Sequence, residues 1–185
     1  METISLMLHV TAAAVLVGPQ LLMFLAVVPA TWLIEDDEAL KRGILKVIAG
    51  RFGMLAGISI AVLLVTGLYQ YYTVVPSHIR ESPNEYAFGA IFSVKMLMFT
   101  ALVGLIYFHA FRYSRNISSL SDQVIALEAD PSHVKRQEGR ELAYELERAR
   151  QRSFGFSLVI LGVSIATLWL GVALGNDIAM TEMPR

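Results

Sequence analysis

The stretch Phe92–Arg112, FSVKMLMFTALVGLIYFHAFR, decides how the chain is read. It is long and apolar enough to cross a bilayer, yet it carries Lys95 inside and His109 near its far end. A Lys within a spanning helix costs roughly 2.5–3.5 kcal/mol on insertion scales, so it faces a partner, a cavity or the interface. Lys95 therefore either snorkels its amine to the headgroups or meets a partner inside the protein.

Working outward, the chain has 185 residues, of which 55% are hydrophobic, and a mean hydropathy of +0.55. That is too apolar for an ordinary soluble domain, and the uncharged runs reach membrane-spanning length. The expected fold class is all-α: a polytopic membrane protein with a four-transmembrane-helix bundle, residues 1–185 forming a single domain. The spans are expected at about 4–34, 52–74, 87–111 and 154–174, with a helical extension over about 131–152 before the fourth. The sequence has no Cys, which excludes disulfides, thiolate metal sites and iron–sulfur clusters. No P-loop, dinucleotide fingerprint or HExxH helix occurs, and no basic, aromatic-studded soluble module, so nucleic acid is not expected as a partner.

The first run has no charge between Glu2 and Glu35 and lacks the basic start of a secretory signal, so its helix is expected to be retained. Gly18-Pro19 and Pro29 interrupt it and predict a kink. Glu35 to Lys46 reads as a short surface helix with Glu38 and Arg42 as an i,i+4 pair, separate from the span that follows. Tyr69, Tyr71 and Tyr72 close that second span as an aromatic belt, and Pro76–Asn84 reads as a polar loop. In the Arg112–Arg152 segment, Asp130-Pro131 reads as an N-cap with Pro in the first turn. Beyond it, Arg136, Arg140, Arg148 and Arg152 share a stripe with Tyr144, suited to a solvated helix beside anionic headgroups. Gly155, Gly162, Gly171 and Gly175 on the fourth span predict close helix packing.

The bases set the orientation. Lys41, Arg42, Lys46, Arg51 and the run from Arg112 to Arg152 lie on one side, against Arg80 and Arg185 on the other. The positive-inside rule then expects a multi-pass protein of the plasma (inner) membrane, charged loops in the cytoplasm and both termini outside.

That orientation brings His9 and Lys95 to similar depths, roughly 8 and 12 Å from the outer ends of their spans at 1.5 Å per residue. His109 lies about 21 Å along the helix from Lys95 by the same rise and cannot share their site. It is expected near Arg51 or on a backbone carbonyl. A neutral imidazole in a helical bundle is a ligand for haem iron or copper. A Lys amine ligates only after losing its proton. Met7, Met23, Met54, Met96 and Met98 offer thioethers suited to Cu(I), although Met is equally ordinary core filler.

Leu8-His9-Val10 followed by Val17-Gly18 resembles the first helix of the CopD copper-resistance domain, and Arg51-Phe52 with Leu64–Gln70, LVTGLYQ, resembles its second. Phe92–Arg112, with Lys95 ahead of Tyr107-Phe108-His109, resembles the third helix of the related HemJ-type protoporphyrinogen oxidases. Leu16 stands where that pattern has an aromatic residue, and Pro19 replaces the second Gly. The resemblance implies His9 and Lys95 as the cofactor-binding and metal-associated residues, with haem b or alternatively copper as the cofactor. It implies a membrane redox protein working on a tetrapyrrole or a quinone, of the protoporphyrinogen oxidase kind. The alternatives are a copper-handling protein of the CopD type and a cofactor-free subunit of a larger membrane complex. Self-association or membership of such a complex is expected.

Overall fold

A computed structural model describes residues 2–34, 37–128 and 133–175, with the side chains of 128 and 133–138 excepted. Among the described residues the fold is helical with no strand, and four runs are long and apolar enough to cross a membrane: Glu2–Trp32, Glu38–Thr73, Ala87–Leu127 and Gly139–Leu174. Large apolar side chains such as Leu25, Leu97, Trp169 and Val172 point outward. Such a surface suits lipid as the surrounding solvent, and the chain is a multi-pass membrane protein.

The first run is helix α1 (Glu2–Leu22), a π-helical turn (Met23–Val27) and helix α2 (Val28–Trp32). Pro29 has no N–H to give the ladder, and just ahead of it Val28 bonds back five residues to Met23. The interruption expected at Pro29 is thus a π-turn, whereas at Gly18-Pro19 helix α1 runs on. Helix α3 (Glu38–Thr73) begins where the Asp37 carboxylate caps the Leu40 N–H at 2.8 Å. It runs unbroken for 36 residues. The separate surface helix expected over Glu35 to Lys46 is therefore corrected: no Pro lies between Glu38 and Thr73, and the apolar stripe continues through Ile44 and Ile48. Glu35 and Asp36 lie outside the described residues.

Pro76–Asn84, expected as a polar loop, is largely helical. It folds into helix α4 (Ser77–Glu81) and a 3-10 turn (Pro83–Glu85). Ile79, 1% exposed, and Phe88 form a plug with Tyr71, Tyr86 and Phe92, so part of the expected aromatic belt packs inward. The Pro83 carbonyl sits where a Cβ on Gly89 would be, which makes glycine the residue that lets this turn close on the next helix.

Helix α5 (Ala87–Phe108) passes through a second π-turn (His109–Ser114) into helix α6 (Arg115–Glu128), well beyond the expected boundary at 111. Helix α7 (His133–Leu174) is continuous, so the expected charged extension and the fourth span are one helix. The Asp130-Pro131 cap lies outside the described residues. Of the fourth-span glycines expected to pack closely, Gly171 meets Lys95 of α5, whereas nothing stands within 4 Å of a Cβ built on Gly155 or Gly162.

Contacts group the described residues into two compact units. One draws on Met1–Leu21, Gly53–Val103 and Leu161–Arg185, the other on Leu22–Phe52 and Gly104–Ile160. Each is built from segments of all four long helices.

Candidate cofactor site

In the first unit each long helix turns one stripe inward at helical spacing. These are Ser5, His9, Ala12 and Leu16 on α1, Ser59, Leu63, Thr66 and Gln70 on α3, and Phe88, Phe92, Lys95 and Leu102 on α5. Ser164, Thr167 and Gly171 do the same on α7. Leu16, 4% exposed, is core at the position where the resembled family carries an aromatic. The stripes are joined by small polar groups: Gln70 donates to Ser5 Oγ at 3.4 Å, and Ser164 donates to Gln20 Oε1 at 3.2 Å.

His9 is half-buried, with Nδ1 2.8 Å from Thr66 Oγ1. The direction of that bond follows from what Thr66 does next. Its hydroxyl donates its one proton to the Val62 carbonyl at 2.6 Å, the back-bond of a helical Thr. Were the proton turned to His9 instead, two oxygen lone pairs would face each other at that distance. Thr66 therefore accepts, and His9 carries its proton on Nδ1. The Nε2 lone pair has no partner among the described residues. Gly67, the next residue of α3, lies beside the ring: a Cβ there would stand 3.4 Å from His9 Cε1.

Lys95 is also half-buried and lies on the inward stripe of α5. Its amine is directed at α7, with Nζ 3.4 Å from a Cβ built on Gly171. No carboxylate or carbonyl partner for it occurs among the described residues. The two residues expected to bound a site thus lie on inward stripes of the same unit.

His109 belongs to the other unit. Its Nε2 lies 2.9 Å from Ser153 Oγ and 3.0 Å from Ser157 Oγ, with its ring stacked on Phe156 at an interplanar angle of 6°. Its bonding goes through Nε2 to α7 and not to Arg51. Two shallow apolar grooves in that unit, lined by residues such as Gly43, Ile44, Ile48 and Ala30, offer no ligand.

The donor set discriminates between cofactors. No cluster of three or more His, Asp or Glu side chains able to hold a metal ion occurs among the described residues. A closed tetrahedral ion site does not fit here. A haem needs only one or two axial ligands, and a His with its Nδ1–H anchored and Nε2 open fits that role. For copper, three of the five expected thioethers, Met7, Met54 and Met96, are exposed on the outer surface.

Sequence reading named His9 and Lys95 but not the groups against them. Thr66 and Gly67 stood inside the LVTGLYQ motif and Gly171 among the packing glycines, so their signal was present and was read for other purposes. The chain matches no family model, and no curated protein and no solved structure is detectably similar to it.

Proposed function

We propose that this chain is an integral membrane redox protein that holds haem b through His9, with Lys95 as the second polar group of the same site. The observation that carries the reading is His9 Nδ1 held 2.8 Å from the Thr66 hydroxyl, which itself donates to Val62, with Nε2 given no partner among the described residues. The resemblance to HemJ-type oxidases selects the same two residues. The bound group would supply a one-electron couple; the chain would anchor and orient it, and a quinone or a tetrapyrrole is the proposed redox partner. The copper-handling alternative is disfavoured by the outward-facing methionines.

The test is the visible spectrum and metal content of the detergent-purified protein. A Soret band is expected. His9→Ala should abolish haem retention, Lys95→Ala should weaken it or shift the spectrum, and His109→Ala should leave the spectrum nearly unchanged. Full haem occupancy in His9→Ala would overturn the reading, and copper without haem would transfer it to the alternative.

The proposed orientation places both termini outside and the basic segments in the cytoplasm of a plasma-membrane protein, from the asymmetry of bases between Lys41–Arg51 with Arg112–Arg152 and the opposite ends. Reporter fusions at Ser82 and Ser119 should fall on opposite sides, Ser119 inside. A cytoplasmic Ser82 would reverse the topology.

A further inference from the structure

The Thr66 hydroxyl stands between a backbone carbonyl and the His9 ring, and it cannot donate to both. Its proton goes to Val62 at 2.6 Å, with Leu63 O farther off at 3.5 Å, and both carbonyls lie one turn back on α3. Thr66 is buried, 7% exposed, so water does not readily replace the His9 contact. The helix thus converts the hydroxyl, ordinarily donor or acceptor, into an acceptor alone. Facing that acceptor, the imidazole holds its proton on Nδ1 and leaves Nε2 with its lone pair. Gly67 lies against the same ring, and a Cβ there would meet His9 Cε1 at 3.4 Å, an ordinary contact.

We propose that Thr66 is the positioning residue of this site, selecting the His9 tautomer that presents Nε2 as a ligand and strengthening that nitrogen as a donor. A group that accepts the second ring proton raises the basicity of the ligating nitrogen, and removing such a partner typically costs roughly 10–100-fold in metal affinity. The ligand role rests on the haem reading above, whereas the tautomer does not depend on it.

The experiment compares wild type with Thr66→Val, which keeps the shape and removes the oxygen, and Thr66→Ser, which restores it. In the full-length chain in detergent before haem addition, histidine ring-nitrogen NMR should show His9 protonated at Nδ1, its signals identified by their loss in His9→Ala. Thr66→Val should mix the tautomers, and Thr66→Ser should restore the single form. Titration with haemin should then show affinity lower by roughly 10–100-fold in Thr66→Val, with near-complete recovery in Thr66→Ser. The midpoint potential of the bound haem should rise in Thr66→Val, because a less basic imidazole stabilises the ferric state less; a purely structural role for Thr66 predicts no such rise once the site is saturated. Wild-type His9 protonated at Nε2, or an unchanged tautomer in Thr66→Val, would overturn the positioning role whatever the haem result. Haem retained in His9→Ala would overturn the functional reading and leave the tautomer result standing.

Discussion

The two units handle interior polarity in opposite ways. In the unit that holds His9, the buried polar residues are Ser5, Ser59, Thr66, Ser164 and Thr167, all hydroxyls. Its two ionisable side chains on the inward stripes, His9 and Lys95, have no countercharge among the described residues. In the other unit the buried charge is matched. Glu38, 8% exposed, accepts from Arg150 Nη2 at 2.5 Å and from Ser121 Oγ at 2.7 Å. Arg42 pairs with Asp122 and also donates to Ser118 at 3.2 Å. A matched buried pair secures structure; an unmatched ionisable group in apolar surroundings is a cost that stability alone does not explain. The contrast is what makes the first unit the place proposed for function.

The contrast is most sharply tested by Glu38→Ala. It would leave the Arg150 guanidinium with the more exposed Glu147, 4.0 Å away, and strand a buried Ser121 hydroxyl. The Arg150 Nε already has no partner, so little remains to absorb the charge. A loss of about 2–3 kcal/mol is expected, below the full cost of breaking a deeply buried pair because Arg150 is partly exposed. Thermal unfolding in detergent measures it, with haem retention expected to be unaffected. Arg42→Ala is the control: with Asp122 largely in solvent, it should cost under about 1 kcal/mol. Equal losses from the two would erase the distinction between buried and surface pairs.

The four apolar runs were legible because hydropathy and length decide a membrane span almost without tertiary help. Boundaries were not. The charges at Glu38–Lys46 and beyond Arg112 marked changes of environment and were read as changes of structure, yet a helix can leave an apolar medium without ending. Ion pairing was equally opaque: Glu38 and Arg42 sit four residues apart, but each finds a partner on another helix. Arg150, which makes the buried contact, lies off the stripe of Arg136, Arg140, Arg148 and Arg152 that drew notice. At the candidate site the ionisable residues could be picked out one by one because charge is rare in such runs. Their neighbours could not, since Thr66, Gly67 and Gly171 are ordinary residues until the fold brings them beside His9 and Lys95.

The remaining prediction concerns the cost side of the comparison. Lys95 places an amine without a countercharge on the inward stripe of α5, beside Gly171. Insertion of a central Lys is unfavourable by roughly 2.5–3.5 kcal/mol, and a half-buried one retains part of that penalty. Lys95→Met keeps the length of the side chain and most of its packing while removing the charge. The haem-free protein should therefore gain stability, by on the order of 1 kcal/mol, as is common when a functional group is replaced by an apolar one of similar shape. Thermal unfolding of the haem-free variant beside wild type reads the sign directly. A clear loss of stability would mean that Lys95 is held by a structural partner, and the site would then rest on His9 alone.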